Sequence, residues 1–224
     1  MRYSIWSKIG SYFIDILLEK QESVYSGTLE LIQRKGRLAL CTENAVYSYE
    51  DLYSNFRDSF KQMNWSSLKG NKVLVLGMGM GSIPQLLEQQ FGNHFRYTLV
   101  ELDEVVVALA QKYTLPKLQS DYNVVTANAV DFVANDTQQY DIIAVDLFVD
   151  DQTPAIFEQT EFLENCKKRL HPEGVLIYNR LTYSEILKEK TDFFYKRCFQ
   201  PVFIKSVILT LDGNKMLFSR SILK

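Results

Sequence analysis

Across residues 3–20 the apolar side chains Ile5, Ile9, Phe13, Ile16 and Leu17 recur at helical intervals, with Ser7, Lys8, Ser11, Asp15 and Glu19 between them. That period predicts an amphipathic helix lying on the domain or on a second subunit. From Thr28 the period shortens to two. Leu29 and Leu31, then Leu38 and Leu40, alternate with polar residues on either side of Arg34-Lys35-Gly36-Arg37, which predicts a β-hairpin. Leu52, Phe56 and Phe60 restore helical spacing over 48–60, with Glu50 and Asp51 in the first turn, where a helix N-terminus favours negative charge. A polar linker over 65–70 follows. Beyond it, short β-branched runs at 72–76, 96–100, 124–126, 141–145 and 175–178 alternate with amphipathic stretches at 83–91, 104–113, 155–169 and 184–198. This alternation predicts an α/β fold, a doubly wound Rossmann-like sheet. Segments 202–211 and 215–222 flank Asp212-Gly213-Asn214, so the sheet is expected to close with an antiparallel hairpin. The expected organisation is a small N-terminal region over 1–65 (helix, hairpin, helix) and a nucleoside-binding catalytic domain over 66–224.

Composition narrows the function classes. With 224 residues, 46% of them hydrophobic and 23% charged, the chain builds one substantial core and a small appendage. Lys and Arg number 25 against 27 Asp and Glu, a net charge of -2 that leaves no electrostatic footprint for a nucleic acid. Cys41, Cys166 and Cys198 are odd in number and far apart, which fits a reducing compartment better than a disulfide framework. His94 and His171 add no metal-ligand spacing, so no metal is expected. No apolar run approaches bilayer length, and no small-residue cleavage site follows a long apolar stretch, so no membrane association and a cytoplasmic location are expected.

The candidate chemistry lies at strand ends. Gly77-Met78-Gly79-Met80-Gly81-Ser82 follows a strand and opens a helix, where glycines let the backbone approach a ligand. Its third glycine comes one residue too early for the dinucleotide pattern G-x-G-x-x-G, which weighs against a pyrophosphate. After the next strand comes Glu101-Leu102-Asp103. A carboxylate at Glu101 can accept both hydroxyls of a ribose, and Asp103 reads as the N-cap of the following helix. Asn128, before Ala129, either caps a short helix or contacts an adenine edge, and the sequence leaves both open. Asp146 ends the strand over 141–145. It should face the cleft, because ligands of open α/β sheets bind outside the carboxyl ends of the strands.

These residues resemble a known family. The run 73–181 resembles the catalytic domain of spermidine synthases, the polyamine aminopropyltransferases. Glu101-Leu102-Asp103 matches the family's E-I-D, Asn128-Ala129 its D-A, and Tyr140-Asp141 with Asp146 its Y-D-x-I-x-x-D. Leu170-His171-Pro172-Glu173-Gly174-Val175 matches its L-x-P-x-G, and upstream Glu50 and Tyr53 resemble its E-x-x-Y. The resemblance implies a class I methyltransferase fold, seven strands with an antiparallel last one. It also implies S-adenosylmethionine or its decarboxylated form as cofactor, a small-molecule acceptor such as an amine, and a homodimer. Asp146 would be the catalytic proton acceptor. Gly77, Gly79 and Gly81 would admit the sugar and sulfur end, Glu101 with Leu102 would hold the ribose, and Asn128 with Ala129 the adenine. Tyr53 would cover the site, Leu147, Phe148 and Val149 would wall the acceptor pocket, and Asp150 or Asp151 would either offer a cation site or stand as solvated loop charges. Tyr25 or Tyr47 would help Tyr53 cover the site, with core packing the favoured reading for these two.

Departures from the pattern bear on the transferred group. The family's glycine loop is G-G-G-D-G-G, and Met80 stands where its acid would hold the aminopropyl ammonium. Val149 occupies the place of a second acid, and Val75 the place where many methyltransferases carry one. An isolated ammonium wants a carboxylate nearby, whereas the complete cofactor carries its own counter-charge. The uncharged loop therefore tips the expectation narrowly to methyl transfer, with aminopropyl transfer as the alternative. A non-catalytic nucleoside-binding or interaction protein is the competing class, favoured by the missing acids and opposed by Glu101 and Asp146.

Overall fold

The computed structural model describes residues 9–42, 46–48, 50, 53–92, 94–149 and 152–224, with the side chains of 46 and 47 outside that description. Strands β1 (Ile16–Ser23), β2 (Gly27–Arg34), β3 (Arg37–Cys41) and β4 (Val46–Ser48) form an antiparallel sheet in sequential order. The hairpin expected around Lys35-Gly36 is present as β2 and β3. Its two turn residues both take positive φ, 50° and 74°, as a two-residue turn matched to strand twist requires.

In its described part the helix expected over 3–20 is confined to residues 9–10. Residues 16–23 are β1, paired with β2 from Ile16↔Gln33 to Ser23↔Gly27 with a bulge between Leu17 and Glu19. Backbone pairing to β2 and the Arg34–Asp15 ion pair fix this segment as an edge strand, and the helical spacing loses to the tertiary partner. Residues 1–8 lie outside the described residues. The helix expected over 48–60 likewise begins later, as α1 (Ser54–Gln62). Ser48 ends β4, and Glu50 sits at φ 35° with its carboxylate taken by the Leu38 amide and Lys117, so it cannot serve a helix N-terminus. Trp65, in the expected polar linker, packs on Phe91 and donates its indole N–H to the Phe60 carbonyl.

The large sheet contains β5 (Lys72–Leu76), β6 (Arg96–Glu101), β7 (Asp121–Thr126), β8 (Tyr140–Val145), β9 (Leu170–Leu181), β10 (Val207–Leu211) and β11 (Asn214–Phe218). Their order is β10-β11-β9-β8-β5-β6-β7, parallel except where β11 runs antiparallel to both neighbours. This is the expected Rossmann-like sheet with its antiparallel closing hairpin. Helices α2 (Ser82–Phe91), α3 (Glu104–Tyr113), α4 (Ala129–Asn135), α5 (Thr160–Lys168) and α6 (Glu185–Phe194) connect the strands. The helix expected over 155–169 is divided: a 3-10 turn over Ala155–Glu158 ends at extended Gln159 before α5 begins.

Alternation along the central strand sorts the core. Val73 and Val75 join a cluster that includes Leu29, Leu31, Leu38 and Leu40 of the small sheet, while Leu74 and Leu76 face a second cluster with Val145, Phe162 and Tyr178. Strand order reverses between β5 and β8, so the loops leaving these neighbours part and open a crevice, the topological switch point of such sheets.

Candidate active site

At the switch point Gly77 and Asp146 lie side by side. The Asp146 amide donates to the Leu76 carbonyl at 2.9 Å, and a Cβ on Gly77 would stand 2.2 Å from the Asp146 carbonyl oxygen. Beside them lies a cavity of about 320 Å³, within the size range of small-molecule sites. Of the residues singled out in the sequence, Gly77, Glu101, Leu102, Asn128, Ala129, Asp146, Leu147 and Phe148 line it together.

Glu101 is 4% exposed. Its Oε2 accepts from the Gly79 amide, and its Oε1 accepts from the amides of Leu102 and Asp103. Burial pushes its carboxyl above the ordinary value, and these three amides pull it back. Gly79 thus anchors the loop to Glu101 and is not among the lining residues. Gly81 differs as well: at φ 77° it precedes α2, and its missing Cβ makes room for Leu115. Asp103 caps α3 through the Val105 amide, as expected, and its second oxygen accepts from the hydroxyls of Ser23 and Ser26 at the β1–β2 turn. That turn brings Tyr25, Ser26, Gly27 and Thr28 to the cavity wall. Tyr25, expected in the core, is instead 51% exposed. The side chains of Tyr47, Asp150 and Asp151 fall outside the description.

Asn128 is a helix cap at the cavity wall. Its Oδ1 caps α4 by accepting from the Val130 amide at 2.9 Å while the residue lines the cavity. Asp146 accepts through one oxygen, Oδ1, from the Tyr53 hydroxyl at 3.0 Å and from Asn179 Nδ2 at 2.9 Å. Burial raises its carboxyl from 3.8 to about 6, the two donors opposing the rise. The Tyr53 phenol is held well above its usual range by burial and then by this carboxylate, so it remains a donor.

Asn179, Ser23 and Ser26 were not singled out in the sequence. Asn179 carried a signal: a polar residue directly after Val175–Tyr178, an apolar run in a buried strand, must find partners. Met80 and Met78 belong to the core cluster, with Met80 only 2% exposed, so the side chain standing in the acid's position is not a cavity wall. Among the described residues no cluster of His, Cys, Asp and Glu is suited to a metal ion, and no helix is long and apolar enough to cross a membrane.

Residues 59–210 match the model of the spermine/spermidine synthase domain, more than half of the chain. The chain belongs to the spermine/spermidine synthase family. A polyamine aminopropyltransferase of Vibrio vulnificus is 27% identical over 154 residues, 67% of this chain and 50% of that protein. An eEF1A lysine and N-terminal methyltransferase homolog of Drosophila melanogaster is 27% identical over 125 residues, 52% of this chain and 18% of that one. The chain spans half or less of the length of the curated relatives it matches. Among solved structures, a probable spermidine synthase from Corynebacterium glutamicum superposes with a TM-score of 0.73 at 18% identity, covering 90% of this chain and 79% of that one. At that identity the likeness speaks for the fold.

Proposed function

We propose that this spermine/spermidine synthase family member transfers an alkyl group from a sulfonium nucleoside to an amine, with aminopropyl transfer from decarboxylated S-adenosylmethionine as the first reading. The observation that carries it is Asp146: a half-buried carboxylate at the switch point, lining the same cavity as Glu101, with a carboxyl near 6. The donor set fits such a nucleoside. Glu101 offers acceptors suited to ribose hydroxyls, and Asn128 with Leu102 and Ala129 forms an edge suited to adenine. When bound, the cofactor supplies an electrophilic carbon next to a positive sulfur. The chain's own work is to hold the acceptor in line, exclude water with Leu147 and Phe148, and take the amine's proton at Asp146. Tyr53 keeps that carboxylate in place, residues 1–65 supply the cover over a binding domain at 66–224, and Asp150 remains a candidate for a second cationic end of the acceptor.

Family membership and relatives named aminopropyltransferases support this ordering over the methyl transfer that Met80 alone suggests. Methyl transfer is the second reading, favoured by the uncharged, buried Met80. Calorimetry with decarboxylated and complete S-adenosylmethionine separates the two, the first binding more tightly if aminopropyl transfer is correct. Asp146→Asn should retain cofactor affinity and lose at least about 100-fold in turnover with a diamine acceptor, whereas Glu101→Gln should weaken cofactor binding itself. Failure of both cofactors to bind would refute the proposal.

A further inference from the structure

The hydrogen bonds that hold Asp146 extend one residue further than the cavity. Asn179, fully buried on β9, donates from Nδ2 to Asp146 Oδ1, and its own Oδ1 accepts from Asn214 Nδ2 at 2.8 Å. Asn214 is the first residue of β11 and pairs with Leu181 in the antiparallel closing hairpin. The direction of this chain is forced. An ionised carboxylate only accepts, so Asn179 must turn its NH₂ toward Asp146, which leaves its carbonyl needing a donor. Asn214 supplies that donor. Tyr53 and Asn179 both address Oδ1, and among the described residues no donor reaches Oδ2.

We propose that Asn214 is a positioning residue: by locking the amide of Asn179 it fixes the rotation of the Asp146 carboxylate, so that Oδ2 is the oxygen presented to the acceptor's proton. The antiparallel hairpin thereby takes part in the site through one side chain that does not line the cavity. The inference rests on the proposed role of Asp146 only in calling that oxygen the proton acceptor; the hydrogen-bond chain stands without it. The charged neighbours do not account for the same effect. Arg180, next to Asn179, pairs with Glu158, and Lys215, next to Asn214, pairs with Asp192. Glu101 and Asp103 are the other described acids at the cavity wall, and Tyr25 and Tyr53 are the phenols.

The test is a carboxyl-carbon NMR titration of the full chain labelled at aspartate, with the Asp146 signal assigned by its loss in Asp146→Asn. The wild-type signal should titrate near 6. Asn214→Ala frees the Asn179 amide and should raise that midpoint by about one pH unit, the scale of one hydrogen bond to a charged group. Asn214→Asp, nearly isosteric, removes the donor and adds a negative charge to the same chain of hydrogen bonds, so it should raise the midpoint further. In an Asn179→Leu background Asn214→Ala should add nothing, because the link is already cut. A folded Asn214→Ala protein with an unmoved Asp146 midpoint would overturn the proposal, as would an Asn214→Asp variant that behaves like wild type. The titration needs no substrate. Failure of the enzymatic reading, seen as undiminished turnover in Asp146→Asn, is therefore a separate result.

Discussion

Asp146 is costly to the fold as an anion. Its carboxyl lies at about 6 against an ordinary 3.8, so the folded chain holds a proton over an interval in which the unfolded chain has lost it. Below both values the two states are protonated alike and there is no penalty. As pH rises through this interval the penalty grows, and it is complete above about 6. Asp146→Asn keeps an acceptor for Tyr53 and Asn179 and should gain about 2 kcal/mol at pH 7, after discounting for partial exposure. The gain should vanish near pH 3, which thermal melts of both proteins at the two pH values check. This residue was legible in the sequence because a strand of β-branched residues ended on it, and so was Glu101. The groups that set their properties were not. Tyr53 came from the family resemblance, and Asn179 and Asn214 become neighbours only when a strand formed last in the sequence inserts beside β9.

The loop from β5 to α2 shows what an element demands of its sequence. Gly77 adopts φ 83° against the backbone of Asp146, a contact that only a residue without Cβ permits. Gly77→Ala should cost about 2 kcal/mol or more and shift Asp146, read as a lowered melting temperature together with a displaced Asp146 carboxyl signal. Met80, on the same loop, is bound into the core, and its carbonyl accepts from the Thr114 hydroxyl. Met80→Asp should therefore lose about 3 kcal/mol of stability, as a buried unpaired charge does, while Met80→Leu should cost under about 1.5; denaturant melts distinguish them. The central strands β5, β6 and β8 were readable to within a residue because parallel strands buried on both faces write continuous apolar runs, whereas β9 and β10 begin five residues away from where the apolar runs put them. Those of the N-terminal region were not. Apolar residues over 9–17 satisfy a helical period, and only the partner strand β2 decides that 16–23 is extended.

The molecule as a whole closes its cavity with two sheets. The C-terminal edge of the large sheet provides Gly77, Glu101 and Asp146, and the turn between β1 and β2 provides Tyr25 to Thr28 as the facing wall. Glu19 of β1 reaches Lys112 and Tyr113 of α3, which fastens the strand behind that turn; these two partners hold its carboxyl down to about 2. Binding of the proposed nucleoside cofactor should then slow amide hydrogen exchange at 23–28 together with the glycine loop. Protection confined to the glycine loop would mean that the small sheet takes no part in holding it. The bonds from Ser23 and Ser26 to Asp103 carry one more implication. Two hydroxyls on one carboxylate tie the hairpin turn to the strand end that carries Glu101, so the two facing walls of the cavity are held as one unit.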